Sequence, residues 1–436
     1  MEALFSALLL LGLIFVVLGL GVWIFLGLFA VSGIALMVLL GMDISRIGTI
    51  AANIVNRYGS AWELAAIPMF IWMGEIIFRT DLSNRIFRGL APLVAHIPGR
   101  LLHTNILGCT LFAAVSGSSA ATTATVGKIT TNELERHGYD RALSSGSLAG
   151  AGSFGLMIPP SIVMIVYAIL AEVSVTRMFA AGVLPGLMIA AMFSCYIVLR
   201  SLLNPSLAPV TAPKRGAIIY LHSVVDLLPV LSLMVIVLGS IYSGIATPSE
   251  AAAVGVCAAL IVTGVLRQLS VSLLLQTLLG AVRTSAMICS LLIAAALLST
   301  AMGYLHIPSG VANTIAALEL TPLTLILVLT LFYIILGLFL DGVSIIVMSL
   351  PITLPLAALA GIDPIWFGIF LIVTIELGQI TPPVGFNLFI LQSLTGRPIG
   401  RVALDALPFF CLMLAGVGLL IAFPQIALWL PGVLYD

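Results

Sequence analysis

Two short stretches of small, polar and helix-breaking residues interrupt the apolar first half of the chain: Ser116-Gly117-Ser118-Ser119 and Gly155-Leu156-Met157-Ile158-Pro159-Pro160. Proline removes a backbone donor, and Gly and Ser weaken a helix. In a bilayer a freed backbone group has no water to turn to, so such a break persists only where protein or a water-filled cavity satisfies it. A second pair follows downstream: Asp341-Gly342-Val343-Ser344, then Gly378-Gln379-Ile380-Thr381-Pro382-Pro383. Exposed carbonyls and hydroxyls suit a hard, weakly charged cation, and the free N–H groups of half-helix N-termini suit a carboxylate. Each tip-and-break pair can therefore build one sodium site. A substrate anion is expected between the two tips, at Ser118, Ser119, Asp341, Gly342 and Ser344 and the prolines Pro159, Pro382 and Pro383. Gly, Ser and Pro also serve as close-packing and kink residues in membrane helices. A tip and a break matched twice favour the functional reading.

Five acids fall within or at the ends of apolar segments: Glu63, Glu75, Glu250, Asp341 and Glu376. An intramembrane acid is costly unless paired and is a functional candidate for that reason. Thr247-Pro248-Ser249-Glu250 reads instead as a helix N-terminus, with Thr247 as cap and Pro248 at the first position. No Ser–His–Asp or Ser–Lys constellation is brought together. Lys128 lies nine residues beyond Ser119, about 13 Å along a helix, which puts it near the interface rather than at the tip. No nucleotide motif, phosphate loop or metal-ligand spacing occurs, so the chain is read as neither an enzyme nor an ATP-driven pump, with no cofactor beyond a coupling Na+. The five cysteines are scattered singly and the five histidines form no cluster.

The elements that must position these residues are membrane helices. Of 436 residues, 61% are hydrophobic and only 8% charged, against about 25% charged in soluble domains. Lysine plus arginine and aspartate plus glutamate balance at 17 each, leaving no basic domain for nucleic acid. Apolar runs of about 20 residues mark spans. They are read at about 2–20, 23–41, 60–79 and 180–203, then 223–243, 247–266, 283–303 and 407–430. Polar-faced stretches at 43–59, 81–97, 267–281 and 304–319 are read as interfacial helices. Broken runs lie at about 100–131, 140–171, 321–357 and 363–394. The arms of 100–131 and 321–357 are too short for two crossings, so each is read as a re-entrant hairpin; 140–171 and 363–394 are broken transmembrane helices.

The halves are in register. Pro159 and Pro382, Pro160 and Pro383, Asp140 and Asp363, Gly155 and Gly378, and Pro185 and Pro408 all share an offset of 223 positions. This indicates an internal repeat, residues 1–203 and 223–436, joined by a linker at 204–222. Five crossings per half invert the second repeat. On that topology every lysine and arginine except Arg46, Arg57 and Arg177 falls on one side, which the positive-inside rule makes cytoplasmic. The linker is then cytoplasmic and both termini periplasmic.

At these same residues the chain resembles the large membrane subunit of the TRAP (tripartite ATP-independent periplasmic) transporters. The matching stretches are Val115 to Thr122, Gly155 to Ser161, Gly244 to Ala253 and Gly378 to Gly385. The resemblance implies an all-α polytopic protein of the bacterial inner membrane: a sodium-driven, elevator-type importer of a small organic acid. It also implies a periplasmic substrate-binding protein and a separate small four-helix membrane subunit as partners. By resemblance, one sodium site would use Ala113, Ser116, Gly155, Ile158 and Pro160, and its mirror Gly337, Gly378, Thr381 and Val384. The mobile domain would be the two hairpins and the two broken helices, with the remaining spans as scaffold. The second tip departs from the family tendency, reading Asp341-Gly342-Val343-Ser344 with Asp341 standing where the first tip has Ser116. A stand-alone ion-coupled carboxylate carrier of the same architecture is the alternative, and an intramembrane enzyme a remote one.

Overall fold

The computed structural model describes residues 9, 12–13, 16–17, 19–209, 216–307, 310, 321–383 and 385–435, and among these it is all helix, turn and loop, without a strand. Helices α1 (Ile24–Leu40), α2 (Ile44–Gly59), α3 (Ala66–Phe78) and α4 (Leu82–Val94) come first. A hairpin follows, α5 (Leu102–Ser116) and α6 (Ser119–Arg136), then a broken helix in three pieces, α7 (Arg141–Gly152), α8 (Phe154–Met157) and α9 (Ile162–Leu170), and then α10 (Val175–Leu203). Beyond the linker come α11 (Ala217–Tyr242), α12 (Pro248–Val265) and α13 (Val271–Tyr304). The second hairpin is α14 (Pro322–Gly337) and α15 (Gly342–Leu359), and the second broken helix is α16 (Pro364–Gln379) and α17 (Phe386–Thr395). Helices α18 (Ile399–Ala422) and α19 (Gln425–Tyr435) end the chain. Among the described residues, six helices are long and apolar enough to cross a membrane, or up to eight if each bent pair is one span.

Local chemistry sets the starts of the key helices. Asp140 Oδ1 accepts from Leu143 N at 2.7 Å, and Asp363 Oδ1 accepts from Ile365 N at 2.8 Å and Trp366 N at 2.9 Å, which caps both broken helices. Ser118 and Asp341 cap the returning arms of the two hairpins in the same way. A side-chain oxygen at this position satisfies amides that the helix leaves without partners. The two pairs of caps share the 223-residue offset, so the repeat extends to the capping chemistry. It also matches Asp341 to Ser118, not to Ser116 as the sequence alone suggested.

The helices pack in two groups. Each hairpin lies against the broken helix that follows it, and the halves interlock, with α6 on α17 and α9 on α15. Within the first repeat Asn105 Nδ2 donates to Ser147 Oγ at 2.9 Å. Between repeats the Tyr167 hydroxyl donates to Pro364 O. Helices α10 and α18 join this group, α18 on α7 and α16 and α10 on α16, whereas the sequence reading assigned them to the scaffold. The contact is close because small residues line it: a Cβ on Gly146 would sit 2.0 Å from Asp405 O, and one on Gly150 would sit 2.8 Å from Phe193 and Phe409. The second group comprises α1 to α4 and α11 to α13. Only 28% of the apolar window of α11 is buried, against 61% for α15, so α11 lies at the periphery and α15 at the centre.

Three other expectations change. The predicted interfacial stretch 267–281 and span 283–303 form one helix of 34 residues, α13. No proline or left-handed residue separates them. The N-terminal part is held on α3, where Trp72 Nε1 donates to Thr277 Oγ1 at 3.2 Å. The first hairpin's return arm continues to Arg136. The last span ends at Ala422, and α19 starts afresh past Pro424 and packs on α10. The stretches 43–59 and 81–97 coincide with the separate helices α2 and α4. Helix α2 buries no residue and meets the next helix at 58°. Helix α4 buries Leu82, Ile86, Leu90 and Val94 while Arg85 reaches Asp226 at 3.5 Å. The first span, 2–20, and the stretch 304–319 lie largely outside the described residues.

The close approach of α7 and α18 gives a direct check. Gly146→Val places a branched side chain against Asp405 O and should destabilise the purified protein by about 1–3 kcal/mol. Gly418→Ala, with nothing within 4 Å of the added methyl, should stay within about 0.5 kcal/mol of the parent. Thermal unfolding in detergent measures both.

Candidate functional site

The first hairpin turns where α5 ends. Gly117 takes left-handed backbone angles (φ 61°, ψ 18°) and its N–H donates to Ala113 O at 3.0 Å. The turn is then tied internally. Ser116 Oγ lies 3.0 Å from Thr122 Oγ1, which donates to Ser118 O at 2.7 Å. This tip is seated in the first break. A Cβ on Gly117 would come 3.0 Å from Pro160 O, and one on Gly155 would come 2.3 Å from Ser118 C and Ser119 N. Only hydrogen atoms fit between these backbones. Ala113, Ser116, Gly155 and Pro160 are thus brought to one place. The Ile158 side chain is turned toward α10, where a Cβ on Gly186 would lie 3.0 Å from its Cγ1.

The second tip repeats this with different residues. Gly337 lies directly on Gly378, each within 2.5–2.7 Å of a Cβ placed on the other. Thr381 N donates to Gly378 O at 3.1 Å and Thr381 Oγ1 donates to Leu377 O at 2.6 Å. Gly385, at φ 44°, lets the chain fold back so closely that a Cβ there would lie 2.7 Å from Thr381 O. Gly337, Gly378 and Thr381 are therefore neighbours; Val384 lies outside the described residues. Both Pro-Pro bonds, Pro159-Pro160 and Pro382-Pro383, are cis. Asp341 accepts from Val343 N at 3.1 Å, Ser344 N at 3.3 Å and the Ser344 hydroxyl.

Both tips open on one cavity of about 320 Å³. Ser116, Ser118 and Ser119 line it from the first hairpin, and Asp341 and Gly342 from the second. Ser344, Pro159, Pro382 and Pro383, expected with them, do not. Ser344 is buried and turned to Asp341, and the prolines shape the breaks behind the tips. Residues that sequence reasoning did not place in the site complete the wall: Glu75 of α3, Thr284 of α13, and Gln379 and Phe386 flanking the second break. Glu75 is held by Arg79 Nε at 2.9 Å. No lysine, arginine or histidine lines the cavity among the described residues. The polar part of the lining is serine and threonine hydroxyls, the Gln379 amide and the carboxyl groups of Glu75 and Asp341. The other acids have ordinary places. Glu63 is exposed, and Glu250 closes the capping box, with Oε2 accepting from Thr247 N at 2.8 Å.

Glu376 is different. It is fully buried in α16, and the Ser119 hydroxyl donates to its Oε1 across the two halves of the chain. Among the intramembrane acids it was one of five, and nothing in its own segment marked it. The available signal was the repeat itself, since Glu376 stands 223 positions after Ser153, two residues ahead of the break glycine in each copy.

The family description "Tripartite ATP-independent periplasmic transporter, DctM component" matches residues 11–426. The chain belongs to this family. It is 38% identical over 373 residues to the C4-dicarboxylate TRAP transporter large permease protein of Pseudomonas aeruginosa, covering 85% of this chain and 86% of that one. It is 31% identical over 417 residues to the ectoine/5-hydroxyectoine TRAP transporter large permease protein of Ruegeria pomeroyi, covering 95% and 96%. Among solved structures it is similar to the Alcanivorax borkumensis YdaH transporter, with a TM-score of 0.67 at 15% identity over 88% of this chain and 91% of that one. That likeness concerns the fold. This DctM-family protein is thus a large TRAP permease, a multi-pass transporter subunit.

The tip-in-break contacts generate a prediction. Gly155→Leu and Gly378→Leu should each abolish uptake in proteoliposomes while the protein still inserts, because either side chain pushes a tip out of its break. The conservative Gly155→Ala and Gly378→Ala should lower uptake by about tenfold, on the scale of 1.4 kcal/mol of overpacking. Normal uptake in both leucine variants would remove the paired breaks from the mechanism.

Proposed function

We propose that this permease is a sodium-coupled secondary importer of a small organic acid, and that it receives its substrate from a periplasmic binding protein. One observation carries the reading: two re-entrant tips from opposite halves of the chain, each seated in a helix break, converge on a single cavity. Each tip-and-break junction gathers carbonyl and hydroxyl oxygens that suit Na+. Ala113, Ser116, Gly155, Ile158 and Pro160 form one site, and Gly337, Gly378, Thr381 and Val384 the other. The substrate carboxylate lies between the tips, on Ser118, Ser119 and the amides at the start of α6. The tip–break contacts make each sodium site depend on tip position, which couples ion binding to closure of the cavity.

The two packing groups suit an elevator. The hairpins, the broken helices, α10 and α18 move as one body along α1 to α4 and α11 to α13. The repeats, residues 1–203 and 223–436, are inverted, with the linker cytoplasmic and the termini periplasmic in the inner membrane. The second group offers exposed apolar faces to lipid and to a small four-helix subunit. The relatives' printed substrates, a C4-dicarboxylate and ectoine, are both small enough for a cavity of about 320 Å³; the binding protein would make the finer choice.

Uptake by the reconstituted permease, small subunit and binding protein should require an inward sodium gradient and fall to background when Na+ is replaced by choline. Ser116→Ala should raise the half-saturating Na+ concentration by about tenfold, as loss of a ligand-sphere contact does. Uptake unaffected by sodium removal would sink the coupling, and uptake without the binding protein would favour a stand-alone carrier.

A further inference from the structure

Glu376 Oε2 has no hydrogen-bond partner although the residue is completely buried, and the Ser153 hydroxyl is likewise buried and unpartnered. Both belong to the centre of the molecule. Ser153 lies between α7 and α8 at the first break, and Glu376 lies in the last turn of α16 at the second. The Ser153 hydroxyl and the Leu156 N–H face the Glu376 carboxyl group. Ser119 joins them, its hydroxyl donating to Glu376 Oε1 and lying 3.4 Å from Ser153 O. No cationic side chain pairs with Glu376 among the described residues. Taking a carboxylate out of water costs several kcal/mol even after relaxation, unless a counter-charge accompanies it.

Position in the repeat adds a second, independent constraint. Ser153 and Glu376 are equivalent residues, 223 positions apart, and they face each other. In a two-fold arrangement a residue meets its own mate only at the axis. The cluster therefore sits on the pseudo-two-fold axis between the halves, whereas each tip-and-break junction belongs to one repeat. Its oxygens are a carboxylate, two hydroxyls and a carbonyl, the hard donor set for an alkali or alkaline-earth cation. Hydrogen bonds need a donor aligned with its acceptor; the Ser153 hydroxyl and the Leu156 N–H approach the carboxyl group but make no well-aligned bond to Oε2. A spherical cation imposes no such direction. Ser119 and Leu156 also line the central cavity, so the cluster is one hydroxyl away from it.

We propose that Glu376, Ser153 and Ser119 form a third cation site, on the axis between the repeats, and that its occupant is Na+. This rests on the sodium-coupled reading above and extends it. Bound there, the ion replaces the direct Ser119–Glu376 contact with shared coordination. It also draws the first hairpin's return arm onto the second broken helix, so it links the two repeats.

The test uses the permease reconstituted with its small subunit and binding protein. The number of Na+ ions carried per substrate is read from reversal potentials. Glu376→Gln should carry one ion fewer than the parent. In parallel, the thermal stabilisation of the purified permease by NaCl over choline chloride should shrink in Glu376→Gln. Ser153→Ala removes a neutral, unpartnered hydroxyl and so keeps the test open if Glu376→Gln does not fold. It should need about tenfold more Na+ for the same stabilisation. An unchanged ion count in Glu376→Gln, or unchanged sodium stabilisation in Ser153→Ala, overturns the site. So does a variant whose uptake changes its pH profile but keeps its sodium count, since the occupant is then a proton. A parent protein whose uptake ignores sodium would instead overturn the coupled-importer reading, and that result is distinct from all of these.

Discussion

A helix broken inside a bilayer leaves amides and carbonyls that lipid cannot hydrogen-bond, and the arrangement of this permease answers that constraint. At the first break the carbonyl of Pro160 meets the hairpin turn at Gly117, while Gly155 lets Ser118 and Ser119 approach at backbone distance. At the second, Gly337 and Gly378 touch directly. Neither the hairpins nor the breaks could stand alone in lipid. Each supplies the polar surroundings of the other, so any motion that carries a break must carry its hairpin. The grouping of the hairpins and broken helices into one body follows from this. The two further helices, α10 and α18, join the body because glycines on α7 let α18 pack at backbone distance.

The two halves solve the same problem with unequal residues. The position that caps the returning arm is Ser118 in one repeat and Asp341 in the other. At Asp341 the carboxylate already occupies the amides of Val343 and Ser344. At Ser118 a neutral hydroxyl caps Ala121 at 3.4 Å, which leaves the start of α6 without a negative charge of its own. The caps of the two tips therefore differ in charge, a neutral hydroxyl at the first and a carboxylate at the second. The two ends of the cavity differ although the backbone around it is two-fold.

Much of this was legible from residue types. Gly-rich turns and Pro-Pro pairs in apolar sequence cannot continue a membrane helix, so both breaks and both hairpins were readable. The shared offset of 223 ties them together in the sequence itself. The helix start at Thr247-Pro248-Ser249-Glu250 was legible for a similarly local reason. What could not be read was set by contacts between distant segments. The 34 residues of α13 look like an interfacial stretch and a span because Arg283 and Gln276 are polar. They join into one helix because Thr277 meets Trp72 and Gly280 meets Glu75 from α3. Likewise the attachment of α18 to α7 depends on which glycine faces which carbonyl. The wall residues Glu75 and Thr284 come from segments that no local pattern connects to each other or to the second break, which Gln379 and Phe386 flank.

Glu376 shows where the repeat itself becomes informative. In isolation it is an acid in an apolar helix, and the usual reading is a partner nearby in sequence. The two-fold relation instead sends it to Ser153, and the Ser119 hydroxyl completes the group from the first tip. Had both positions been serine, the axis would hold a neutral hydrogen-bonded pair. Had both been glutamate, like charges in low dielectric would face each other. One acid opposite one hydroxyl puts a single carboxyl group at the place where the halves meet. In the proposed site that group is what a monovalent cation would bind, at a point from which it acts on both repeats.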